Sequence, residues 1–179
     1  SSDVCSSDLC SWCWGFRAVW LELQEKLKGR VTVKYVLGGL APDSNLPMPV
    51  DLQGTIRNTW KTIQREVPGT QFNYDFWTLC QPRRSTYPAC RAIVACKMQR
   101  PDLEMAMLLA IQQAYYLDAK NPSDDVILIQ LARNVGLDTG KFISDFESDA
   151  CHDAVENEIL LARKLYANIF PSLIFSMDG

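Results

Sequence analysis

The strongest constraint on the fold is a pair of cysteines, Cys10 and Cys13, at the start of an amphipathic helical pattern. From 14 to 28 the apolar residues recur at helical spacing, at Phe16, Val19, Trp20, Leu23 and Leu27. Gly29 then ends the pattern, and the alternating, β-branched run from Val31 to Leu37 predicts a strand. A C-x-x-C pair that opens a helix leading into a strand is typical of a redox-active dithiol.

Two other roles for the cysteine pair fit less well. A structural zinc ion needs four protein ligands, and this pair supplies only two. The chain has no second C-x-x-C, and His152, the only histidine, lies far away in the sequence. A structural disulfide across two residues closes a very short loop and therefore stabilises little. We predict no metal site and assign redox chemistry to the pair.

The start of the helix explains how the pair would react. We expect Cys10 near the N-cap and Cys13 about one turn inside the helix. Unsatisfied backbone N–H groups and the positive end of the helix dipole would stabilise a thiolate on Cys10. The thiolate is the attacking species in thiol–disulfide exchange, and Cys13 could then displace the mixed disulfide.

The rest of the chain predicts a long helical block between two strands. A loop rich in glycine and proline covers 38–49, and helical patterns follow at 56–67, 85–98, 101–117, 122–136, 137–146 and 149–166. A short apolar strand follows Pro171, and a turn is predicted at 176–179. Strands that flank such a block are parallel or joined by crossovers. This order predicts an α/β fold, 10–40 and 150–179, with an inserted all-helical subdomain at 41–149.

Composition and charge exclude several classes of partner. The net charge of -3 and the pI near 5.2 argue against a nucleic-acid surface. The longest uninterrupted apolar run, Met105 to Ile111, is far too short to cross a bilayer. The sequence contains seven cysteines, of which four are predicted to be buried thiols that favour a reducing compartment: Cys80, Cys90, Cys96 and Cys151.

Pro171 has two interpretations when only its local sequence is considered. Prolines often precede strands in loops, where the missing N–H costs nothing. The alternative is a cis proline facing the cysteine pair, although only roughly one X-Pro bond in twenty is cis in folded proteins.

Several segments together resemble the DsbA-like branch of the thioredoxin superfamily, and above all bacterial proteins of the protein-disulfide isomerase type. The similarity runs from Cys10 to Phe175. It is carried by CSWCWGF, LGGLAPDS, QPRRSTYPACRA, AIQQAYYL, LARNVGLDTGKFISDF and FPSLIF. The resemblance implies a thioredoxin-like fold and the activity of a thiol–disulfide oxidoreductase. It also implies Cys10 as nucleophile, Cys13 as resolving thiol and Pro171 as the cis proline.

The same resemblance implies how substrates would be held. Phe170 would present backbone groups to an extended substrate chain, a form of strand addition. Ser11 and Trp12 would tune the thiolate by hydrogen bonding and by shielding. The implied partners are protein or small-molecule thiols and disulfides, with no nucleic acid and no membrane. No cofactor is implied, and glutathione is a candidate co-substrate.

Two other functions stay open. Related DsbA-like families include glutathione-dependent isomerases and transferases, but those relatives typically carry a serine at the position of Cys10. The other is a non-catalytic, chaperone-like binding module. Arg83 and Arg84 could bind an anionic substrate or the glutathione carboxylates, although a solvated loop is the favoured interpretation. Asp43 is predicted to be a turn residue.

Both ends of the sequence depart from the pattern that is resembled. The opening segment, SSDVCSSDL, repeats Ser-Ser-Asp, which favours turns and caps over a buried strand. It is similar to the in-frame translation of a sequencing adapter, so we predict that 1–9 is non-native and that Cys5 has no role. The resemblance also implies a further strand and helix after Gly179. We expect a fragment that lacks its native first strand and its C-terminal strand and helix. The implied location is the bacterial cytoplasm, with the periplasm as the alternative.

Overall fold

A mixed sheet of three strands organises the α/β part of the molecule. The computed structural model describes residues 2–6 and 9–175. Its strands are β1 (Ser2–Ser6), β2 (Val33–Leu37) and β3 (Ser172–Phe175), in the order β2–β1–β3. β1 is parallel to β2, with Val4 opposite Tyr35, and antiparallel to β3. The crossover that a parallel pair requires is made by helix α1 (Ser11–Leu27).

The central position of β1 corrects the expectation that the first residues form turns and caps. The backbone of Ser2–Ser6 pairs with a strand on each side. Two sets of backbone hydrogen bonds satisfy its N–H and C=O groups, and this pairing overrides the weak strand propensity of serine and aspartate. The non-native origin of 1–9 stays a prediction. The turn predicted at 176–179 lies outside the described residues.

Helices occupy most of the chain between β2 and β3, as the sequence predicts. They are α2 (Val50–Glu66), α3 (Phe76–Leu79), α4 (Tyr87–Gln99), α5 (Glu104–Tyr116), α6 (Asp125–Asn134), α7 (Thr139–Phe146) and α8 (Asp149–Lys164). A 3₁₀ turn, Pro101–Leu103, precedes α5. Only the four-residue α3 has no counterpart among the predicted helices.

The main core lies within the helical insertion and is built around Trp60. This side chain has no exposed surface, and its ring centroid lies 4.7 Å from that of Phe72 and 5.0 Å from that of Trp77. Helix α1 packs closely on α2, because a Cβ atom at Gly15 would lie only 2.6 Å from Cγ2 of Ile63. The aromatic core of the insertion is therefore in direct contact with the helix that carries the cysteine pair.

The buried thiols predicted in the helical block are confirmed. Cys90, Cys96 and Cys151 are buried, and Cys80 is half-buried. Burial raises the pKa of the Cys96 and Cys151 thiols to about 11. These thiols stay protonated at neutral pH and pack as small apolar groups.

The hydroxyl groups of Ser85 and Thr86, just before α4, do not cap that helix. Thr86 Oγ1 accepts from the Ala41 N–H at 2.9 Å and donates to the Ala41 carbonyl at 3.1 Å. Ser85 Oγ accepts from the Ser44 N–H at 3.1 Å. Both side chains hold the loop that follows β2. Pro88 lies in the first turn of α4.

Lys97 connects four elements through charged hydrogen bonds. Its Nζ lies 3.0 Å from Oε1 of Glu104 on α5 and 3.0 Å from Oε1 of Glu158 on α8. The second carboxylate oxygen of Glu158 accepts from the Leu37 N–H of β2 at 2.9 Å. Burial opposes the charge on Lys97, but the two carboxylates outweigh it and raise the pKa of Lys97.

We expect Lys97→Met to destabilise the protein by about 2 kcal/mol, because it leaves two half-buried carboxylates facing each other without a cation. Lys141→Met is the matched control. It breaks the Lys141–Asp145 pair within α7 and should cost less than about 0.5 kcal/mol. Urea unfolding measures the free energy of unfolding of both variants.

The stabilisation by Lys97 also depends on pH. Since the pKa of Lys97 is raised, its contribution to the free energy of unfolding is complete below the ordinary pKa of 10.5 and is lost as the pH rises through the pKa of the folded state. Equal costs for the two variants would contradict the role of Lys97.

Candidate active site

The cysteine pair lies at the start of α1, where the sequence places it. Cys10 is the N-cap residue, with φ -81° and ψ 121°, and its carbonyl accepts from the Trp14 N–H at 3.2 Å. Cys13 lies one turn into the helix and is buried, whereas Cys10 is half-buried. Backbone N–H groups of the first turn are thus directed towards the end of the helix that carries Cys10.

The loop before β3 meets the cysteine pair. The Cys10 thiol donates to the Phe170 carbonyl, with 3.4 Å between Sγ and the oxygen. The Phe170–Pro171 peptide bond is cis. Pro171 also lies beside Cys13, since both line the same cavity. The fold therefore brings together Cys10, Cys13, Phe170 and Pro171, four of the residues singled out from the sequence.

Gly38, just after β2, determines where Phe170 can lie. A Cβ atom on Gly38 would lie 2.1 Å from two atoms of the Phe170 ring, so the ring occupies space that any other residue would fill. The ring also packs on a small apolar cluster that includes Val36 and Ala162. A glycine far from the motif in sequence thus positions the carbonyl that contacts Cys10.

The two residues between the cysteines have different surroundings. The Ser11 hydroxyl accepts from Nε1 of Trp60 at 2.9 Å, so its side chain is linked to the core of the helical insertion. Trp12 is 39% exposed and lies at the surface. Trp14, the next residue of the helix after Cys13, stacks on Tyr116 with ring centroids 5.5 Å apart. Sequence reasoning missed both Trp60 and Tyr116, because nothing in the local pattern marks a core aromatic residue as a neighbour of the motif.

A cavity of about 330 Å³ opens beside Cys13 and Pro171. Its walls come from α1, from α5 and from Tyr35 on β2, and its lining is mainly apolar. The Tyr35 hydroxyl accepts from Nε1 of Trp20 at 2.6 Å and from Nε2 of Gln24 at 2.9 Å. Burial raises the pKa of Tyr35. The cavity therefore keeps a neutral phenol in its wall.

The favoured interpretations of Arg83 and Asp43 need correction. Arg83 is not a solvated loop residue, because it donates to the Ser123 carbonyl and to the Asp124 carboxylate at 2.7 Å. Arg84 is exposed, as expected. Asp43 is more than a turn residue, because its two oxygens accept from Arg91 at 2.7 and 2.9 Å. These contacts fix the loops that contain Arg83 and Asp43, both of which are far from the cysteine pair in the sequence.

No group of three or more histidine, cysteine, aspartate or glutamate side chains in residues 2–6 and 9–175 is arranged to hold a metal ion. In the same residues, none of the helices combines the length and the apolar character needed to span a membrane.

Comparison with known proteins agrees with this geometry. The family model described as Thioredoxin matches residues 7–178. This chain belongs to the Thioredoxin family. It is similar to the structure of a candidate protein disulfide isomerase from Nitrosomonas europaea, with 25% identity and a TM-score of 0.86 over 99% of this chain and 85% of that one. It is also similar to the cytosolic disulfide reductase DsbM from Pseudomonas aeruginosa, with 22% identity and a TM-score of 0.80 over the same shares. A second DsbM structure contains GSH.

A curated relative carries a different description. The chain is 24% identical to the ClpXP adapter protein SpxH of Bacillus subtilis over 168 residues, which is 93% of this chain and 55% of that protein. The chain thus spans about half the length of this relative. The thioredoxin-like α/β fold implied by the resemblance is confirmed, and the DsbA-like structures DsbM and SCO1869 share that fold.

Gly38→Ala tests how Phe170 is positioned in this thioredoxin-like protein. The new Cβ must displace the Phe170 ring, and we expect a loss of about 1–3 kcal/mol in the free energy of unfolding. The matched control is Gly54→Ala in α2, where no atom lies within 4 Å of the added Cβ. The control should be more stable than the parent by up to about 1 kcal/mol, because alanine favours the helix. Urea denaturation of both variants measures the free energy of unfolding. An unchanged value for Gly38→Ala would show that Gly38 does not hold Phe170 in place.

Proposed function

We propose that this chain is a thiol–disulfide oxidoreductase of the protein-disulfide isomerase type, with Cys10 as nucleophile and Cys13 as resolving thiol. The observation that carries the proposal is the position of Cys10. It caps the N-terminus of α1, has Cys13 one turn away and lies 3.4 Å from the Phe170 carbonyl. A helix N-terminus favours a thiolate, which is the reactive form.

The reaction proceeds in two exchanges. The Cys10 thiolate attacks one sulfur of a substrate disulfide, so that a Cys10–substrate bond forms and the substrate S–S bond breaks. The leaving sulfur departs as a thiolate and takes up a proton. Cys13, after losing its proton, attacks Cys10 Sγ and releases the second substrate thiol. The substrate gains two electrons, and Cys10 and Cys13 end as a disulfide. The same steps run backwards when the pair oxidises a dithiol.

The loop before β3 provides the surface for substrate binding in this proposal. The backbone of Phe170 would pair with an extended substrate segment, as in strand addition. A peptide held there would carry its disulfide to Cys10, because the Phe170 carbonyl already contacts the thiol. Pro171 forms the edge of this surface beside Cys13. Ser11 and Trp12 act on the thiolate, Ser11 through hydrogen bonding and Trp12 by covering it.

Glutathione is the proposed co-substrate. Reduction of protein disulfides consumes the dithiol, and a low-molecular-weight thiol can restore it by the same exchange chemistry. DsbM, which shares the fold, has a structure with GSH. Cys80, Cys96 and Cys151, whose thiols have a raised pKa, would remain reduced in the bacterial cytoplasm, the proposed location.

Cysteine variants test the assignment directly. Cys10→Ser should reduce insulin disulfide reduction by glutathione to the uncatalysed background, because the nucleophile is lost. Cys13→Ser should accumulate a mixed disulfide between Cys10 and the substrate, visible by mass spectrometry, because no resolving thiol remains. The matched control is Cys80→Ser, whose half-buried thiol donates to the Ala119 carbonyl and takes no part in the site. Retained activity in Cys10→Ser would disprove the proposal.

A second candidate function comes from the curated relative. SpxH is described as a ClpXP adapter, and the match covers 93% of this chain. An adapter binds a client and a protease rather than catalysing exchange. The chaperone-like binding module left open by the sequence has the same character, because it too needs no chemistry at the cysteines.

The double variant Cys10→Ser/Cys13→Ser separates the two candidates. The oxidoreductase requires that the variant lose insulin reduction completely. An adapter or holdase should keep its binding activity, measured as suppression of aggregation of a denatured client or as faster degradation of a client by ClpXP. If the double variant loses insulin reduction and the parent protein shows no binding activity, the chain is an oxidoreductase and not an adapter. Binding that is unchanged by the double variant, in a parent without reductase activity, would establish the adapter.

A further inference from the structure

The side chain of Tyr116, at the end of α5, carries a hydroxyl that the proposed mechanism has not used. Tyr116 has no exposed surface. Within the described residues its hydroxyl oxygen has no hydrogen-bond partner. A buried hydroxyl without a partner costs free energy, so a structure that retains one calls for an explanation.

Tyr116 packs against α1, the helix that carries the cysteine pair. Its ring stacks on that of Trp14, and its centroid lies 5.8 Å from that of Trp60, the residue that donates to Ser11. Burial, together with Tyr115, raises the pKa of Tyr116 well above its ordinary value; Ser11 opposes this rise, whereas the nearby Cys10 and Cys13 add to it. The phenol therefore keeps its proton at all physiological pH values.

We propose that Tyr116 is a positioning residue that stabilises the Cys10 thiolate through the Ser11 hydroxyl. The proposal rests on the oxidoreductase function proposed above and deepens it. Trp60 and Tyr116, both in the helical insertion, would then each donate a hydrogen bond to Ser11, next to Cys10.

The hydrogen-bonding capacity of Ser11 explains how this works. A serine hydroxyl has one O–H donor and two acceptor lone pairs. The Trp60 N–H occupies one lone pair. The Tyr116 O–H has no partner among the described residues while Cys10 is a thiol, and on ionisation of Cys10 it would donate to the second lone pair of Ser11. A hydroxyl that accepts two hydrogen bonds is a stronger donor, because chains of hydrogen bonds polarise one another. The Ser11 O–H is then available to the sulfur of the preceding residue.

Ionisation of Cys10 creates the need for that donor. As a thiol, Cys10 donates to the Phe170 carbonyl. The thiolate has lost this proton and can only accept hydrogen bonds. Hydrogen bonds to a charged sulfur are stronger than those to a thiol, so the chain from Tyr116 through Ser11 favours the ionised form. A purely structural phenol would have no such dependence on the charge state of Cys10.

The test compares Tyr116→Phe with Tyr115→Phe. Tyr115 is the matched control, because it is the preceding residue of α5, is also buried in the same aromatic cluster, and has Cys80 rather than the motif as its charged neighbour. The Cys10 thiolate is titrated by ultraviolet absorbance, with the curve of the Cys10→Ser variant subtracted to remove the other thiols. We expect Tyr116→Phe to titrate at higher pH and to be alkylated at Cys10 roughly threefold more slowly at neutral pH. Tyr115→Phe should match the parent.

Stability provides a second readout. At a pH where Cys10 is a thiol, the Tyr116 hydroxyl is buried without a partner in the part of the chain that the structure describes, so Tyr116→Phe should have a melting temperature equal to or above that of the parent. If the variant is at least as stable as the parent but Cys10 ionises at higher pH, partial unfolding cannot explain the change in the titration. An unchanged titration in folded Tyr116→Phe overturns the proposal.

Ser11→Ala tests the intermediate step and remains informative if Tyr116→Phe does not fold. Ser11→Ala should itself raise the titration midpoint of Cys10, and in this background Tyr116→Phe should add nothing. Independent, additive effects would overturn the route through Ser11, and so would an unchanged midpoint in Ser11→Ala. The titration needs no substrate and no turnover. It therefore stands even if Cys10→Ser retains insulin reduction, the result by which the proposed function itself would fail.

Discussion

The contact between Cys10 and the Phe170 carbonyl is the interaction on which the site depends. It joins the start of the first helix to the loop before the last described strand, two places separated by 160 positions in the chain. Each side has its own support. The N-cap position holds Cys10, and the ring of Phe170 is held against Gly38. A displacement of either support would separate the nucleophile from the surface that we propose for substrate binding.

The helical insertion takes part in this site as well as covering the sheet. Its aromatic core reaches the motif through the Trp60–Ser11 hydrogen bond and through the stacking of Tyr116 on Trp14. The close approach of α1 to α2 at Gly15 fixes the distance between these parts. The buried phenol of Tyr116, without a hydrogen-bond partner in the described residues, costs stability next to the helix that carries the proposed site.

Membership of the Thioredoxin family defines the fold but leaves the function to the site. Proteins that share this fold include a disulfide reductase, and a curated relative, of which this chain covers 55%, is described as an adapter protein. One fold commonly hosts several activities, so the function must be argued from particular side chains. The proposed function depends on a cysteine at a helix N-terminus and a second cysteine one turn away.

Local patterns in the sequence determined the helices of the insertion, the strand after α1, the buried thiols and the position of Cys10 at the head of its helix. These features depend on the period of apolar residues and on groups only a few positions apart. Tertiary structure decided the rest: the pairing of Ser2–Ser6 at the centre of the sheet, the ion pairs of Asp43 and Arg83, and the link from Ser11 to Trp60. The physical reason is that a hydroxyl, a carboxylate or a strand edge accepts any suitable partner. Which one it meets is set by packing between distant segments, which local propensity does not encode.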